Sequence, residues 1–147
     1  MITWTLKKFE TLTPYELYAI LRLRTEVFVV EQNCVFQDMD NKDQPAYHLM
    51  GWKNEILIAY TRLIPSNLSY KEPSIGRVVT SASARGGGIG RKLMEKSIEE
   101  MIRLYGKTPI KLGAQLYLKK FYESLGFIQS GDIYKEDGID HIEMIRP

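Results

Sequence analysis

Apolar and polar positions change period several times along the 147 residues, and each change marks an element. Ile2, Trp4 and Leu6 alternate with polar neighbours as far as Lys8, as a half-buried strand does. Thr13-Pro14-Tyr15-Glu16 then carries helix-start signals, with Thr13 as N-cap, Pro14 in the first position and Glu16 completing a capping box. Leu17, Ile20, Leu21 and Phe28 share one face of that helix, and the β-branched run 27–30 predicts its end. Residues 47–53 and 56–64 read as strands about a tight turn at Lys53-Asn54-Glu55, and 74–80 as a third. The longest helical pattern runs from about Gly88 to Tyr105. Ile89, Leu93, Ser97, Met101 and Leu104 keep the helical period there, Met94, Ile98 and Tyr105 widen the apolar face, and Gly106 stands at the stop. Residues 109–114 predict a short strand, 116–125 a helix ending at Gly126, and 127–134 with 139–145 two strands about an Asp137-Gly138 turn. The mixed order predicts an α/β domain with a largely antiparallel sheet and at least one parallel crossover at the glycine-rich stretch.

Two stretches break the pattern in ways that suggest chemistry. Arg24 sits on the apolar face of the first helix, where a charge either snorkels at the helix edge or finds a partner lining a cleft. The segment 31–45 has little periodicity and four acids, Glu31, Asp38, Asp40 and Asp43. An EF-hand does not fit, since Lys42 falls where an oxygen ligand is needed and Asp43 where the turn needs glycine. A long unpatterned loop in a compact domain is expected to serve function, here as one wall of a substrate cleft.

The second stretch is Arg85-Gly86-Gly87-Gly88-Ile89-Gly90, between a strand and a helix start. Glycines let the backbone approach a ligand closely, and the free amides and positive dipole end of the helix suit phosphate or pyrophosphate. A Walker A loop is excluded because Gly90 is followed by Arg91-Lys92-Leu93, and a dinucleotide fingerprint because Arg91 stands where its third glycine belongs.

Composition narrows the setting. With 44% apolar residues the chain is expected to form one domain, 1–147, with a real core. Twenty basic against eighteen acidic residues, a formal +2, give no reason to expect a nucleic acid or a membrane as partner. Residues 1–10 lack a signal-peptide pattern, and apolar runs such as 56–60 are too short to span a bilayer. Cys34, the only cysteine, rules out an intramolecular disulfide or a Cys-rich zinc site, so a reducing cytoplasm is the expected compartment.

Arg85, Gly88 and Gly90 match the Arg/Gln-x-x-Gly-x-Gly/Ala signature of the GCN5-related N-acetyltransferases (GNAT), which the chain resembles. The run from Ala114 to Phe127, with Gln115 and Phe121-Tyr122-x-x-x-Gly126-Phe127, resembles the second half of that signature at the required distance. Arg24 to Cys34, Asp38-x-Asp40, His48, Gly51 to Asn54, Gly76-Arg77-Val78 and Glu136 to Met144 are similar to its ElaA-type branch. The resemblance thus spans nearly the whole chain. Thr80 departs from it, since many relatives carry Val there.

The resemblance implies a GNAT-like, mixed and mostly antiparallel sheet of about six to seven strands, with helices on both faces. A V-shaped splay would separate the strands at 74–80 and 109–114. It implies acetyl-CoA as co-substrate, with its pantetheine arm along Val78, Val79 and Thr80 and its pyrophosphate on Arg85, Gly86, Gly87, Gly88, Ile89, Gly90 and Arg91. Gln115 and Tyr122 complete that binding set, with Lys119 and Lys120 available to the phosphates. Tyr122 would protonate the leaving thiolate, and no metal is expected.

For the acceptor side, Arg24, Phe28, Glu31 and His48 are the expected substrate residues. Glu31 is the first choice for the general base and His48 the second, while His141 reads as a hydrogen-bonded core residue. A small amine, a peptide N-terminus and a protein lysine all remain open as acceptors, and the sequence is compatible with a homodimer. A non-catalytic acetyl-CoA sensor of the same fold is the alternative from another class; it would need neither Tyr122 nor the acidic loop. A hydrolase or kinase lacks the P-loop lysine and a metal cluster.

Overall fold

A computed structural model describes residues 1–147. Strand β1 (Thr3–Lys8) leads to helix α1 (Pro14–Arg24), and α1 runs on without a break into a π-helical segment, Thr25–Glu31. Strands β2 (Tyr47–Lys53), β3 (Ile56–Ile64) and β4 (Ser74–Thr80) follow, then helix α2 (Ile89–Tyr105) and strand β5 (Ile110–Gln115). A 3-10 turn, Leu116–Leu118, opens the short helix α3 (Lys119–Glu123), and β6 (Ile128–Gln129), β7 (Tyr134–Glu136) and β8 (Ile139–Arg146) complete the chain.

The eight strands form one sheet in the order β1-β2-β3-β4-β5-β8-β6, with β7 also paired to β8. Every pairing is antiparallel except β4 with β5, the crossover that carries α2. The sequence predicts seven strands because it reads 127–134 as one. The polar Ser130-Gly131-Asp132 interrupts that run, so β6 and β7 lie end to end along the outer edge of β8.

The local signals explain most boundaries. The Thr13 hydroxyl accepts from the Glu16 amide at 3.1 Å and Glu16 accepts from the Thr13 amide at 2.8 Å, the reciprocal capping box. Asn54 and Glu55 both have positive φ, 51° and 64°, as do Asp137 and Gly138, 51° and 79°, so two tight hairpin turns set the register of their strands. The end of the first helix differs from expectation. The β-branched run does not stop it but widens it, with the Gln32 amide reaching the Val27 carbonyl and the Cys34 amide that of Val29, five residues back in each case.

Side chains alternate between two packed faces. Leu49, Ala59, Thr61 and Leu63 point towards α2, whose Leu93, Met94 and Met101 are sealed from solvent. Met50, Tyr60 and Val79 point the other way, onto Ile20, Leu23 and Val27. Helices thus cover both faces. Truncating one such fully buried residue, Leu93→Ala for example, costs about 2–5 kcal/mol. No helix is long and apolar enough to cross a membrane.

Candidate active site

β4 and β5 form a single register pair, Ser74 with Lys111, supported by the Lys111 amide on the Pro73 carbonyl at 3.0 Å. Beyond it the two strands part. A β-bulge helps to open them: Tyr60 pairs with Val79 but Arg62 with Gly76, so β4 carries one extra residue, and Arg77 takes φ 49°. Val78, Val79 and Thr80 on one side and Gln115 on the other line a cavity of about 710 Å³. The unpaired strand edge inside the domain leaves backbone donors and acceptors for an extended ligand.

The glycine loop closes one end of this cleft. Gly86 and Gly88 have φ 96° and 76°, with Gly88 as the left-handed N-cap of α2. No atom lies within 4 Å of where a Cβ would stand on Gly86, Gly87 or Gly88, so the loop's surface is open. The first-turn amides of Ile89, Gly90 and Arg91 have no partner within the helix. Anionic oxygens fit this cradle of amides at a positive helix end. The two arginine side chains of the loop are already engaged: Arg91 Nη1 donates to Ser124 Oγ at 2.9 Å, and Arg85 to Glu31 and to the Thr80 carbonyl. Lys119 and Lys120 do not line the cleft.

Tyr122, one turn into α3, is 4% exposed with Phe121 and Phe127 against its ring edges, yet it lines the cleft. Arg62 Nε is the one buried side-chain polar atom without a partner, so the Tyr122 hydroxyl, which bonds no protein group, is open to the cleft. Burial, aided by Tyr117, pushes its pKa up, so the phenol keeps its proton at neutral pH.

Glu31 ends the π-helical segment and lines the same cleft, as does Phe28. Arg85 holds the Glu31 carboxylate by two hydrogen bonds, one of them 3.0 Å from Nη2 to Oε1, and these bonds lower its pKa. A carboxylate held ionised in this way is a weaker base than a free one.

Arg24 and His48, expected at the substrate, do not reach the cleft. Arg24 is wholly buried, with Nε on Asp38 at 2.8 Å and Nη1 on Asp43 at 2.7 Å. Asp43 also accepts from Arg62 Nη1 at 2.9 Å, Arg62 bonds Asp40 at 2.7 Å, and Arg77 Nε returns to Asp38 at 2.8 Å. Three arginines and three aspartates form one closed network, because a buried charge survives only with its partners. Asp38 and Asp43 are therefore spent on the loop's own fold, while Asp40, in the same network, also lines the cleft. His48, also wholly buried, donates from Nε2 to the Asp43 carbonyl at 2.8 Å and takes the Tyr60 hydroxyl on Nδ1 at 2.7 Å.

Sequence reasoning missed the far wall of the cleft. Gly113 lies there, and a Cβ on it would stand 2.8 Å from the Tyr134 hydroxyl and 3.2 Å from that of Tyr70. A glycine inside a strand was the available signal. His141, Glu136 and Asp137 from the last hairpin line this wall, facing Cys34, Phe36 and Lys42 from the long loop. The Cys34 thiol donates to the Asp137 carbonyl at 3.2 Å and so ties loop to hairpin. No group of three or more His, Cys, Asp or Glu side chains is arranged to hold a metal ion.

A mixed sheet splayed beside its single parallel pair, with a glycine anion cradle at the mouth, defines the GNAT acetyltransferase class. The family model of the acetyltransferase (GNAT) domain matches residues 12–146, and the chain belongs to that family. It is similar to protein ElaA of Escherichia coli, at 44% identity over 99% of this chain and 97% of that one. The crystal structure of E. coli ElaA superposes with a TM-score of 0.94 at 43% identity, covering both chains fully. An acyl-CoA N-acyltransferase from Pseudomonas aeruginosa superposes at 0.96 with 44% identity, again over both whole chains.

Proposed function

We propose that residues 1–147 work as one N-acetyltransferase domain that moves an acetyl group from acetyl-CoA to an amine. The observation that carries this reading is the splay of β4 from β5 with the open glycine loop at its end. The loop amides and those of Ile89 to Arg91 suit the pyrophosphate, the unpaired edge Val78 to Thr80 suits the pantetheine amides, and Gln115 faces them. Acetyl-CoA supplies an acetyl thioester, an acyl carbon already activated towards amines.

The chain's own residues do the rest. The Val79 and Thr80 edge offers backbone amides to the carbonyl oxygen as negative charge builds on it. Tyr122, with its proton retained and its hydroxyl open, donates to the departing sulfur. A sensor of acetyl-CoA would have no use for that phenol, and its presence favours the enzyme. Small amines, peptide N-termini and protein lysines remain the acceptor classes, and a reducing compartment such as the cytoplasm suits the lone Cys34.

Calorimetry with acetyl-CoA tests the reading at Gly90. This residue sits in the first turn of α2, where a Cβ meets only the Phe121 ring, at 4.0 Å, so Gly90→Val is compatible with the fold. The branched side chain would stand where the pyrophosphate approaches, and affinity is expected to fall tenfold or more, about 1.4 kcal/mol or above. Undiminished affinity in the folded variant would exclude this site.

A further inference from the structure

We propose that His141 is the general base, receiving the acceptor ammonium between its Nε2 and the Glu136 carboxylate; this rests on the acetyltransferase reading above. The geometry selects it among the cleft residues. His141 Nδ1 lies 2.8 Å from the Ile139 carbonyl, an acceptor only, so in the neutral ring Nδ1 carries the proton and Nε2 the lone pair. Nε2 has no hydrogen-bond partner, and it is not among the sealed polar atoms, so it faces the cleft. Glu136 Oε2 stands 3.6 Å from it, placed to hold an ammonium beside the lone pair and then to stabilise the imidazolium.

The surroundings fix the ring. His141 is directly paired with Tyr134 on β7 and with Gln115 on β5, and the Tyr134 ring packs on it at 5.7 Å. Gln115 is anchored in turn by Gln32 at 3.3 Å, next to Glu31. Other ionisable groups on this wall are Tyr70, which meets Tyr134 over Gly113, and Asp137, whose carbonyl takes the Cys34 thiol. On its own strand, Asp140 is tied to Lys135 and Glu143 to Lys111, so Glu136 is the carboxylate that faces the free nitrogen.

The placement matches the chemistry on both sides of the sheet. Ile142 packs with Ala114 and Tyr122 in the α2-side core, and its neighbour His141 projects from the opposite face. Proton acceptor and proton donor thus flank the splay from opposite sides. The protons balance: the ammonium R–NH3+ gives one to Nε2, freeing the nitrogen lone pair to form the C–N bond as the C–S bond breaks. The second proton leaves the nitrogen as the amide forms and, through solvent, replaces the one Tyr122 hands to sulfur. The imidazolium then releases the first to solvent, one proton per turnover.

Nitrogen-15 NMR of the free protein, with His141→Gln to assign the signal, tests the base without any acceptor. The expected result is a neutral ring in the Nδ1–H tautomer, kept in Glu136→Gln because the Ile139 carbonyl sets it. An Nε2–H tautomer would overturn the proposal. With spermidine as acceptor and thiol release as readout, His141→Gln is expected to lose roughly 10²- to 10⁴-fold in kcat/KM together with the acidic limb of its pH profile. A folded variant that keeps both would equally overturn it. Calorimetry with acetyl-CoA separates the two readings, since failure to bind sinks the acetyltransferase reading whatever His141 does.

Discussion

Arg85 grips Glu31 across the mouth of the cleft, with Nη2 3.0 Å from Oε1 and a further bond to the Thr80 carbonyl. The contact joins the glycine loop to the end of the π-helical segment, two parts of the chain that share no other element. It also occupies the guanidinium of a loop that we propose holds the pyrophosphate through its backbone amides. On that proposal, a phosphate reaching the loop would compete with Glu31 for this cation.

Glu31→Gln removes the competing charge and keeps the side chain's shape. Acetyl-CoA affinity is expected to hold or to tighten by up to about tenfold, about 1.4 kcal/mol. The acidic limb of kcat/KM should persist if His141 is the base. Affinity weakened tenfold would show that the clasp builds the site, and loss of the limb would return the base to Glu31.

The arginine–aspartate network makes a stability prediction instead. Asp43 serves Arg24 at 2.7 Å and Arg62 at 2.9 Å, so Asp43→Asn leaves two buried guanidinium groups short of charge. A loss of about 3–5 kcal/mol is expected in urea unfolding. Acetyl-CoA binding to the folded fraction should stay within a factor of two or so. A stable variant with altered acceptor kinetics would restore this cluster to the substrate site. For Asp40 and Asp43, burial opposes ionisation, but Arg62 on both, with Arg24 on Asp43, outweighs it and lowers each pKa. Their contribution is present above the unfolded carboxylate range near pH 4 and is lost as the pH falls below it.

His48 adds a second pH dependence with its own window. Burial, with Arg24 and Arg62 nearby, outweighs the pull of Asp43 and lowers its pKa below 6.5, so the folded state refuses a proton that the unfolded chain accepts. Stability is expected to fall as pH drops below about 6.5, with a slope of up to about 1.4 kcal/mol per pH unit. Chemical denaturation of the wild type and His48→Gln between pH 5 and 7 checks this. The slope should flatten in the variant, and an equal slope in both would assign it elsewhere.

Much of this architecture is legible in the sequence because its signals are local. β2, β3 and β4 have the bounds that alternation and turn residues give, and the capping box and the αL glycines stand where spacing puts them. The splay follows from the resemblance rather than from any pattern. The bulge that helps to open it has no signal, since Arg77 in a left-handed conformation is not a residue that composition suggests. Arg24 reads as a ligand residue because its partners lie 14 and 19 positions away on a loop without periodicity. His141 reads as core because a lone histidine on a strand is more often a hydrogen-bonded core residue than a catalyst. Only the pairing of β8 with β5 and β7 reveals that its face belongs to the cleft.

Tyr122 carries the last prediction. Its ring is core, packed between Phe121 and Phe127, while its hydroxyl is open to the cleft, so ring and hydroxyl have separable roles. Tyr122→Phe keeps the packing and deletes the donor. Stability should therefore change little, because no protein hydrogen bond is lost, and acetyl-CoA affinity should stay near wild type. The turnover number is expected to fall by roughly 10²-fold or more if the phenol protonates the departing sulfur. A smaller fall at low pH, where solvent protonates the thiolate more readily, would separate a proton donor from a steric prop. Burst-phase kinetics decides whether chemistry limits turnover in the wild type. If chemistry does limit it and kcat is unchanged in Tyr122→Phe, Tyr122 is a packing residue and the thiolate leaves without its help.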